Sequence, residues 1–280
     1  TTANGVAGAG AVALTGSASE SMITYNTDAH IGKNAFIDAA GGAVSVNAKS
    51  RFTHVGEAAG VSGAGEVAGG LSNDTTYIKN DTKAYIGKKA FVNTRYGIAV
   101  TADHTTDITS AVVAGGFAKT AAFNGGVGVN KLRENVQAYV DDAATLRVIA
   151  AQDTKGKATL VNVSAKNTTK LSSGNGGAAI GATAAGGGAA VTVNSIVKNT
   201  QAFMGKNVMV SNNRTKDNKL SITANNNEDI YSFVLQGSGG LYAGLAGAVD
   251  VNDLTVTTKA FTDTGAWLMA GSVAVDAVHE

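Results

Sequence analysis

Residues 194–205 read Asn-Ser-Ile-Val-Lys-Asn-Thr-Gln-Ala-Phe-Met-Gly, and a version of the last four residues returns at regular intervals along the chain. The equivalent alanines, which we call the landmark alanines, are Ala29, Ala84, Ala138, Ala202 and Ala260. Successive landmark alanines are 55, 54, 64 and 58 residues apart. Self-similarity at a nearly constant period is the signature of a repeat protein, in which each unit packs on its neighbours.

Two further features follow each landmark alanine in a fixed order. The first is a mostly apolar pair seven and eight residues later: Phe36-Ile37, Phe91-Val92, Thr145-Leu146, Met209-Val210 and Trp267-Leu268. The second is an alternating segment that ends in alanine: Val44 to Ala48, Ile98 to Ala102, Val161 to Ala165, Leu220 to Ala224 and Val273 to Ala277. Alternation with a period of two is the pattern of a half-buried strand. The repeat therefore predicts an all-β solenoid with repeats of about 55–64 residues.

The spacing leaves two possibilities for the number of coils in each repeat. Ala48 precedes Thr75 by 27 residues and Ala102 precedes Val129 by the same distance, which favours two coils per repeat. Three coils of about 19 residues divide the same period. With strands about 4.8 Å apart, two coils per repeat predict a rod of roughly 50 Å, and three predict one of roughly 70 Å.

The composition indicates a thin core. The chain has 36 glycines and no proline, and only 15% of its residues are charged and 6% aromatic. Small side chains suffice in a solenoid because each coil packs only on its neighbours. The Gly-rich segments Gly60 to Gly65, Ala185 to Ala189 and Leu245 to Ala248 are predicted to line a narrow edge of the coil, where backbones approach closely, or to pack against another part of the molecule. A partner-facing surface is the alternative. We expect residues 1–280 to form a single β-solenoid segment of a longer repetitive chain.

Polar residues mark two other features of the repeat. Eight residues before each landmark alanine stand Ser21, Thr76, Asn130, Asn194 and Asn252. We predict turns there, with the amides stacking from coil to coil. Polar insertions at Ala150 to Thr159 and Asn212 to Lys219 are predicted to be surface loops.

The order Gly/Ala-rich stretch, Val-x-Val-Asn, Asn-Thr-x-Ala-aromatic-hydrophobic-Gly and alternating strand, seen most fully around residues 194–205, resembles the repeat region of large exported filamentous adhesins. The likeness is to the leukotoxin-type filamentous adhesins of fusobacteria and to filamentous haemagglutinin-like exoproteins, and it covers nearly all of the chain. It implies a right-handed parallel β-helix and export by a type V pathway through an outer-membrane transporter. It brings no catalytic residue with it. Asp141 and Asp263 replace the glycine of the tetrad, so less regular turns are expected there.

The residues that could carry chemistry are few. The four histidines, His30, His54, His104 and His279, have no zinc-site spacing and are predicted to be exposed. The acids Asp103 and Asp107 beside His104 are interpreted as solvated residues of a polar corner. Asp141, Asp142 and Arg147 are the candidates for a polysaccharide-cleaving site, and turn acids with an outward arginine explain them more simply. A threonine two residues before most landmark alanines recurs too sparsely for a ligand-binding array. We predict no catalytic, metal or cofactor site.

Charge and hydropathy bear on two further classes of function, nucleic-acid binding and membrane insertion. A net charge of +1 gives no electrostatic case for nucleic acid, and no apolar run reaches the length of a membrane-spanning helix. We therefore expect no nucleic-acid partner and no direct membrane insertion. The predicted function is a non-enzymatic rod of a secreted or cell-surface adhesin or toxin-like exoprotein that contacts host cells or matrix. The alternative is a carbohydrate-active β-helix enzyme or a phage-type fibre.

Overall fold

The computed structural model describes residues 1–149, 160–212 and 218–280, which form strands and no helix. The strands are β1 (Thr2–Ala9), β2 (Val12–Ile31), β3 (Phe36–Ala39), β4 (Val44–Ala64), β5 (Val67–Ile86), β6 (Phe91–Thr94), β7 (Gly97–Ala118), β8 (Ala121–Val140), β9 (Thr145–Val148), β10 (Leu160–Gly181), β11 (Ala185–Met204), β12 (Met209–Asn212), β13 (Lys219–Gly240), β14 (Ala243–Thr262), β15 (Trp267–Met269) and β16 (Ser272–His279). Strands that are three places apart in the chain pair with each other in parallel. The prediction of an all-β parallel β-helix is confirmed.

Three sheets result from this pairing. Sheet A has the order β1-β4-β7-β10-β13-β16, sheet B the order β14-β11-β8-β5-β2, and sheet C the order β15-β12-β9-β6-β3. Each coil therefore consists of one long strand in sheet A, one long strand in sheet B and one short strand in sheet C.

The structure has one coil per repeat, so the prediction of two coils, and its alternative of three, is wrong. Ala48 pairs with Ala102, one full repeat away, and Ala84 pairs with Ala138. The error arose because two strands of 20–22 residues were interpreted as several short ones. With about 4.8 Å between strands, the six strands of sheet A stack to only about 24 Å, while each long strand extends for roughly 66 Å. The segment is a broad slab and not a rod of 50–70 Å.

The slab tapers from a wide end to a narrow edge. At the narrow edge, turns of two or three residues join sheet A to sheet B, as at Gly65-Glu66 between β4 and β5. A Cβ added to Gly60 would lie 2.6 Å from the carbonyl oxygen of Leu71 in the facing strand. Only glycine permits so close an approach of the two backbones. The predicted placement of the Gly-rich segments at a narrow edge is confirmed.

Sheet C closes the wide end through a regular four-residue turn. The third residue of each turn has a positive φ of 54–75°, and these residues are Asn34, Lys89, Ala143, Asn207 and Gly265. The side chains of Asp141 and Asp263, which replace the usual glycine, accept hydrogen bonds from the next backbone amide at 2.8 and 2.7 Å. These carboxylates satisfy backbone amides of the turn, so the prediction of less regular turns at Asp141 and Asp263 is wrong.

Most of the apolar core lies at the wide end, between the three sheets. The landmark alanines Ala84, Ala138 and Ala202 are fully buried in it, beside valines and isoleucines of the alternating strands. A second cluster in the middle of the slab contains Ile78, Ile108, Leu132, Leu171 and Ile196. A third, made of alanines, lies near the narrow edge. Polar layers separate these clusters.

The predicted loop Ala150 to Thr159 falls between β9 and β10. The predicted loop Asn212 to Lys219 overlaps the ends of β12 and β13, and Asn212 and Asn218 are buried, so the prediction of a surface loop is wrong for these residues. Ala150 to Thr159, and residues 213–217 of the second insertion, lie outside the described residues.

Candidate functional site

The polar residues eight positions before the landmark alanines lie in the middle of sheet B strands and point inward. Thr76, Asn130 and Asn194 are buried. The amide of Asn130 donates to Asn194 at 2.9 Å, and that of Asn194 donates to Asn252 at 2.7 Å. The stacking of amides from coil to coil is therefore confirmed, but the predicted turn is wrong. A polar side chain can occupy the strand interior here because its equivalents in the next coils satisfy it.

Two of the four histidines are buried, which corrects the prediction that all are exposed. His54 is hydrogen-bonded to Thr76 at 3.2 Å, and His104 to Thr106 at 2.6 Å. His30 and His279 are half-exposed. Asp103 and His104 are consecutive in β7 and point to opposite faces, so the predicted polar corner does not exist. The alternating burial of this strand leaves the acids outside and His104 inside.

Asp142 stabilises a turn. Its carboxylate accepts a hydrogen bond from the backbone amide of Lys206 at 2.9 Å and pairs with Lys88 at 3.3 Å. The amide hydrogen bond from Lys206, helped by Lys88, keeps the pKa of Asp142 below its usual range. Asp141 lies in the same turn, and Arg147 is exposed on β9. All three residues therefore occupy the places expected of turn acids and an outward arginine.

The threonines beside the landmark alanines cannot form an external array. Thr82 and Thr200 are fully buried, and Thr200 donates to Asn226 across the interior at 2.7 Å. Among the described residues, no three His, Cys, Asp or Glu side chains are grouped to hold a metal ion.

A buried charged network crosses the slab between the wide-end core and the central cluster. Nζ of Lys198 lies 2.6 Å from Oε1 of Glu228, and the two side chains are 0% and 4% exposed. Glu134, paired in register with Lys198, accepts a hydrogen bond from Thr169 at 2.7 Å. His104 lies 3.6 Å from Glu134, an ion-pair distance longer than a hydrogen bond.

Burial and charge act in opposite directions on the pKa values of this network. Burial alone would raise the pKa of Glu134, but His104, Lys198 and the Thr169 hydroxyl outweigh it and lower that pKa. Burial lowers the pKa of Lys198, and the two glutamates oppose this only in part. The network was missed at the sequence level, although Lys198 is an even number of residues from Ala202 and therefore shares its inward face.

Acidification should destabilise the fold in two steps. Burial lowers the pKa of His54 below its usual 6.5, so below about pH 6.5 the unfolded chain binds a proton that the folded chain does not. The pKa of Glu134 is lowered from 4.5, so stability is lost again as the pH falls below about 4.5. The urea midpoint should fall in both ranges. His54→Gln should remove the first step and keep the second; an unchanged profile in this variant would contradict the assignment.

An aromatic column follows the outer surface of sheet B near the wide end. His30, Tyr85, Tyr139, Phe203 and Phe261 stack with ring centroids 4.8–5.0 Å apart and planes within 6° of parallel. Burial in this stack, followed by the neighbouring Tyr85, raises the pKa of Tyr139 to about 12. Because the ring faces cover one another, this column serves strand stacking and offers only ring edges to a ligand.

The outer surface changes character towards the narrow edge, where large apolar side chains are exposed. Leu71 and Phe123 are 63% and 53% exposed on sheet B, and Val113, Phe117 and Ile180 are about half-exposed on sheet A. All five belong to strands that have a neighbour on both sides. Their exposure therefore is not an effect of the sheet ends. Contiguous apolar surface of this kind marks a site of interaction.

A shallow groove of about 540 Å³ lies within this apolar surface of sheet B. Its lining includes Leu71, Gly125, Val127, Ala189 and Val191. The apolar outer faces of the narrow half are the candidate functional site. The sequence could not reveal them because inward and outward positions are known only once the strands are known to be continuous.

No protein-family model, curated protein or solved structure matches the chain. None of the described residues forms a helix, and so none forms a helix able to cross a membrane.

Proposed function

We propose that this chain is a structural and interaction segment of an exported bacterial filamentous adhesin or toxin-like exoprotein, displayed at the cell surface or secreted. It contacts host cells or extracellular matrix and takes no part in catalysis. Export depends on an outer-membrane transporter. The resemblance of residues 194–205 and their equivalents to adhesin repeats supports this placement.

The observation that carries the proposal is the shape of the coil. Each repeat uses 54–64 residues to advance the stack by one strand spacing, as the registers of sheet B show. A solenoid that serves as an extended rod lengthens by about 4.8 Å for every 20 or so residues. This chain instead gives each coil two long strands, and so presents two broad flat faces. This geometry favours a role in binding a partner through a broad face over a role as a long spacer.

The faces offer two kinds of surface to a partner. The half of sheet A nearest the wide end carries lysine and aspartate side chains in adjacent coils, for example Lys49, Asp103 and Lys166 in register. The half nearest the narrow edge is apolar on both sheets. A partner that bridges these halves would meet charged and apolar contacts together, as protein interfaces commonly do.

Binding of the fluorescent chain to intact host cells and to matrix-coated surfaces tests the proposal. We expect saturable binding that excess unlabelled chain displaces and that heat-unfolded chain lacks. Antibody raised against the chain should label intact cells of the producing bacterium. Absence of saturable binding, or turnover of a polysaccharide that Asp103→Asn or Asp141→Asn abolishes, would overturn the proposal.

A further inference from the structure

Large and small outer residues alternate in two dimensions on the narrow half of sheet B. Across the five coils, one position reads Leu14, Gly69, Phe123, Gly187 and Leu245. The outer position two residues further along reads Gly16, Leu71, Gly125, Ala189 and Gly247. Across the sheet, each large residue of these two rows thus has small ones beside it, and along the strand it has a glycine on at least one side. We call this pattern the checkerboard.

The large side chains lie across the glycines of the next strand. A Cβ added to Gly125 would be 2.9 Å from Cδ2 of Leu71, and one added to Gly187 would be 3.3 Å from the ring of Phe123. A Cβ on Gly69 would likewise be 2.8 Å from Cδ2 of Leu14. The glycines therefore make room for the large side chains to lie over the sheet. These three glycines are thereby covered. The small positions left open between the large side chains are Gly16 and Gly247, where an added Cβ would meet no atom within 4 Å, and Ala189 in the groove.

We propose that this face binds a second copy of the same chain. In a two-fold arrangement, the knobs of one checkerboard enter the holes of the other, as large and small residues interdigitate between packed sheets. The self-complementary relief favours a copy of the same surface over a lipid surface, because fluid acyl chains require no matching relief. The groove beside Leu71 is one such hole.

The area of the face suits this partner. About ten residues along the strand and five strands across give a face of roughly 33 by 19 Å, or about 630 Å². Stable interfaces of standard size bury roughly 600–1,000 Å² on each partner, so this face lies at the lower end of that range. Among the outer residues of the face, which run from residues 12–20 in β2 to residues 243–251 in β14, Glu20 is the one charged side chain. The free-energy cost of desolvation on association is therefore low over most of the area. Side-by-side pairing goes beyond host contact, since a monomer could still bind cells.

Sedimentation equilibrium of the whole chain over a range of concentrations tests the pairing. We expect a monomer–dimer equilibrium in the micromolar range or tighter. Phe123→Asp should weaken the dimer at least tenfold, because it places a charge in the centre of the face. Phe117→Asp, on the opposite outer face of the same half, is the matched control and should leave the equilibrium unchanged. Circular dichroism and thermal melting establish that both variants fold like the wild type.

The Ala189→Leu variant distinguishes specific interdigitation from non-specific hydrophobic association. This change enlarges the apolar area but fills a hole of the checkerboard, so it should weaken the dimer. A tighter dimer in this variant would overturn the proposal, as would a dimer that Phe117→Asp disrupts and Phe123→Asp does not. A monomeric chain that floats with phosphatidylcholine–phosphatidylglycerol vesicles through Phe123 would assign the face to lipid and overturn it as well. A monomer that still binds host cells would refute the pairing alone.

Discussion

Replacing Ala202 with arginine should unfold the central coils. Ala202 has no exposed surface and lies between Ala138 and Ala260 in the adjacent strands. An arginine there overpacks a site sized for a methyl group and places an unpaired cation in the wide-end core. We expect a loss of about 4 kcal/mol or more of unfolding free energy. Urea unfolding followed by far-UV circular dichroism measures it.

The neighbouring residue supplies the matched control. Gln201 points outward, is partly exposed and hydrogen-bonds to Asn199 at 3.0 Å. An arginine at this position reaches solvent, so Gln201→Arg should change the stability by less than about 1 kcal/mol. Similar losses in the two variants would show that the landmark alanine does not face the interior.

The stacking of repeats could be predicted from the sequence, whereas the extent of each strand could not. The landmark alanines fix the equivalent positions, and the structure pairs all five in register. A segment such as Val191 to Asn194 was interpreted as a strand that ends at asparagine, because asparagine favours turns. In the folded chain, amides from adjacent coils satisfy that asparagine, so the strand continues without interruption.

The buried charges and the apolar faces were missed for the same reason. Once a strand is known to run from Ala185 to Met204, its alternation places Lys198 inside and Val191 outside. Short strands broken by turns give no such rule, and a buried lysine is rare enough that exposure is the default expectation. Pairing of Lys198 with Glu228, in the facing sheet, depends on the sheet-to-sheet packing, which the repeat period does not encode.

Removing the buried cation should be nearly as destabilising as filling the core. Lys198 contacts Glu228 at 2.6 Å and donates to the carbonyl oxygens of Asn167 and Asn227 at 3.4 and 3.2 Å. Lys198→Met keeps the volume but takes the buried ammonium group away from the carboxylates of Glu134 and Glu228, leaving His104 at 3.6 Å beside Glu134 and His279 at 2.6 Å beside Glu228. We expect a loss of about 3–5 kcal/mol of unfolding free energy at neutral pH.

Three comparisons distinguish the effect of the buried charge from that of the lost hydrogen bonds. Lys83 pairs with Asp81 at 3.3 Å on the outer surface with about a third of each side chain exposed, so Lys83→Met should cost less than about 1 kcal/mol. Adding Glu228→Gln to Lys198→Met should recover much of the stability, because it removes a buried carboxylate that has lost its ammonium partner. The penalty of Lys198→Met should also shrink in acid, where Glu134 can take up a proton and become neutral. A penalty that stays constant with pH and persists in the double variant would mean that Lys198 stabilises the slab mainly through its two carbonyl hydrogen bonds.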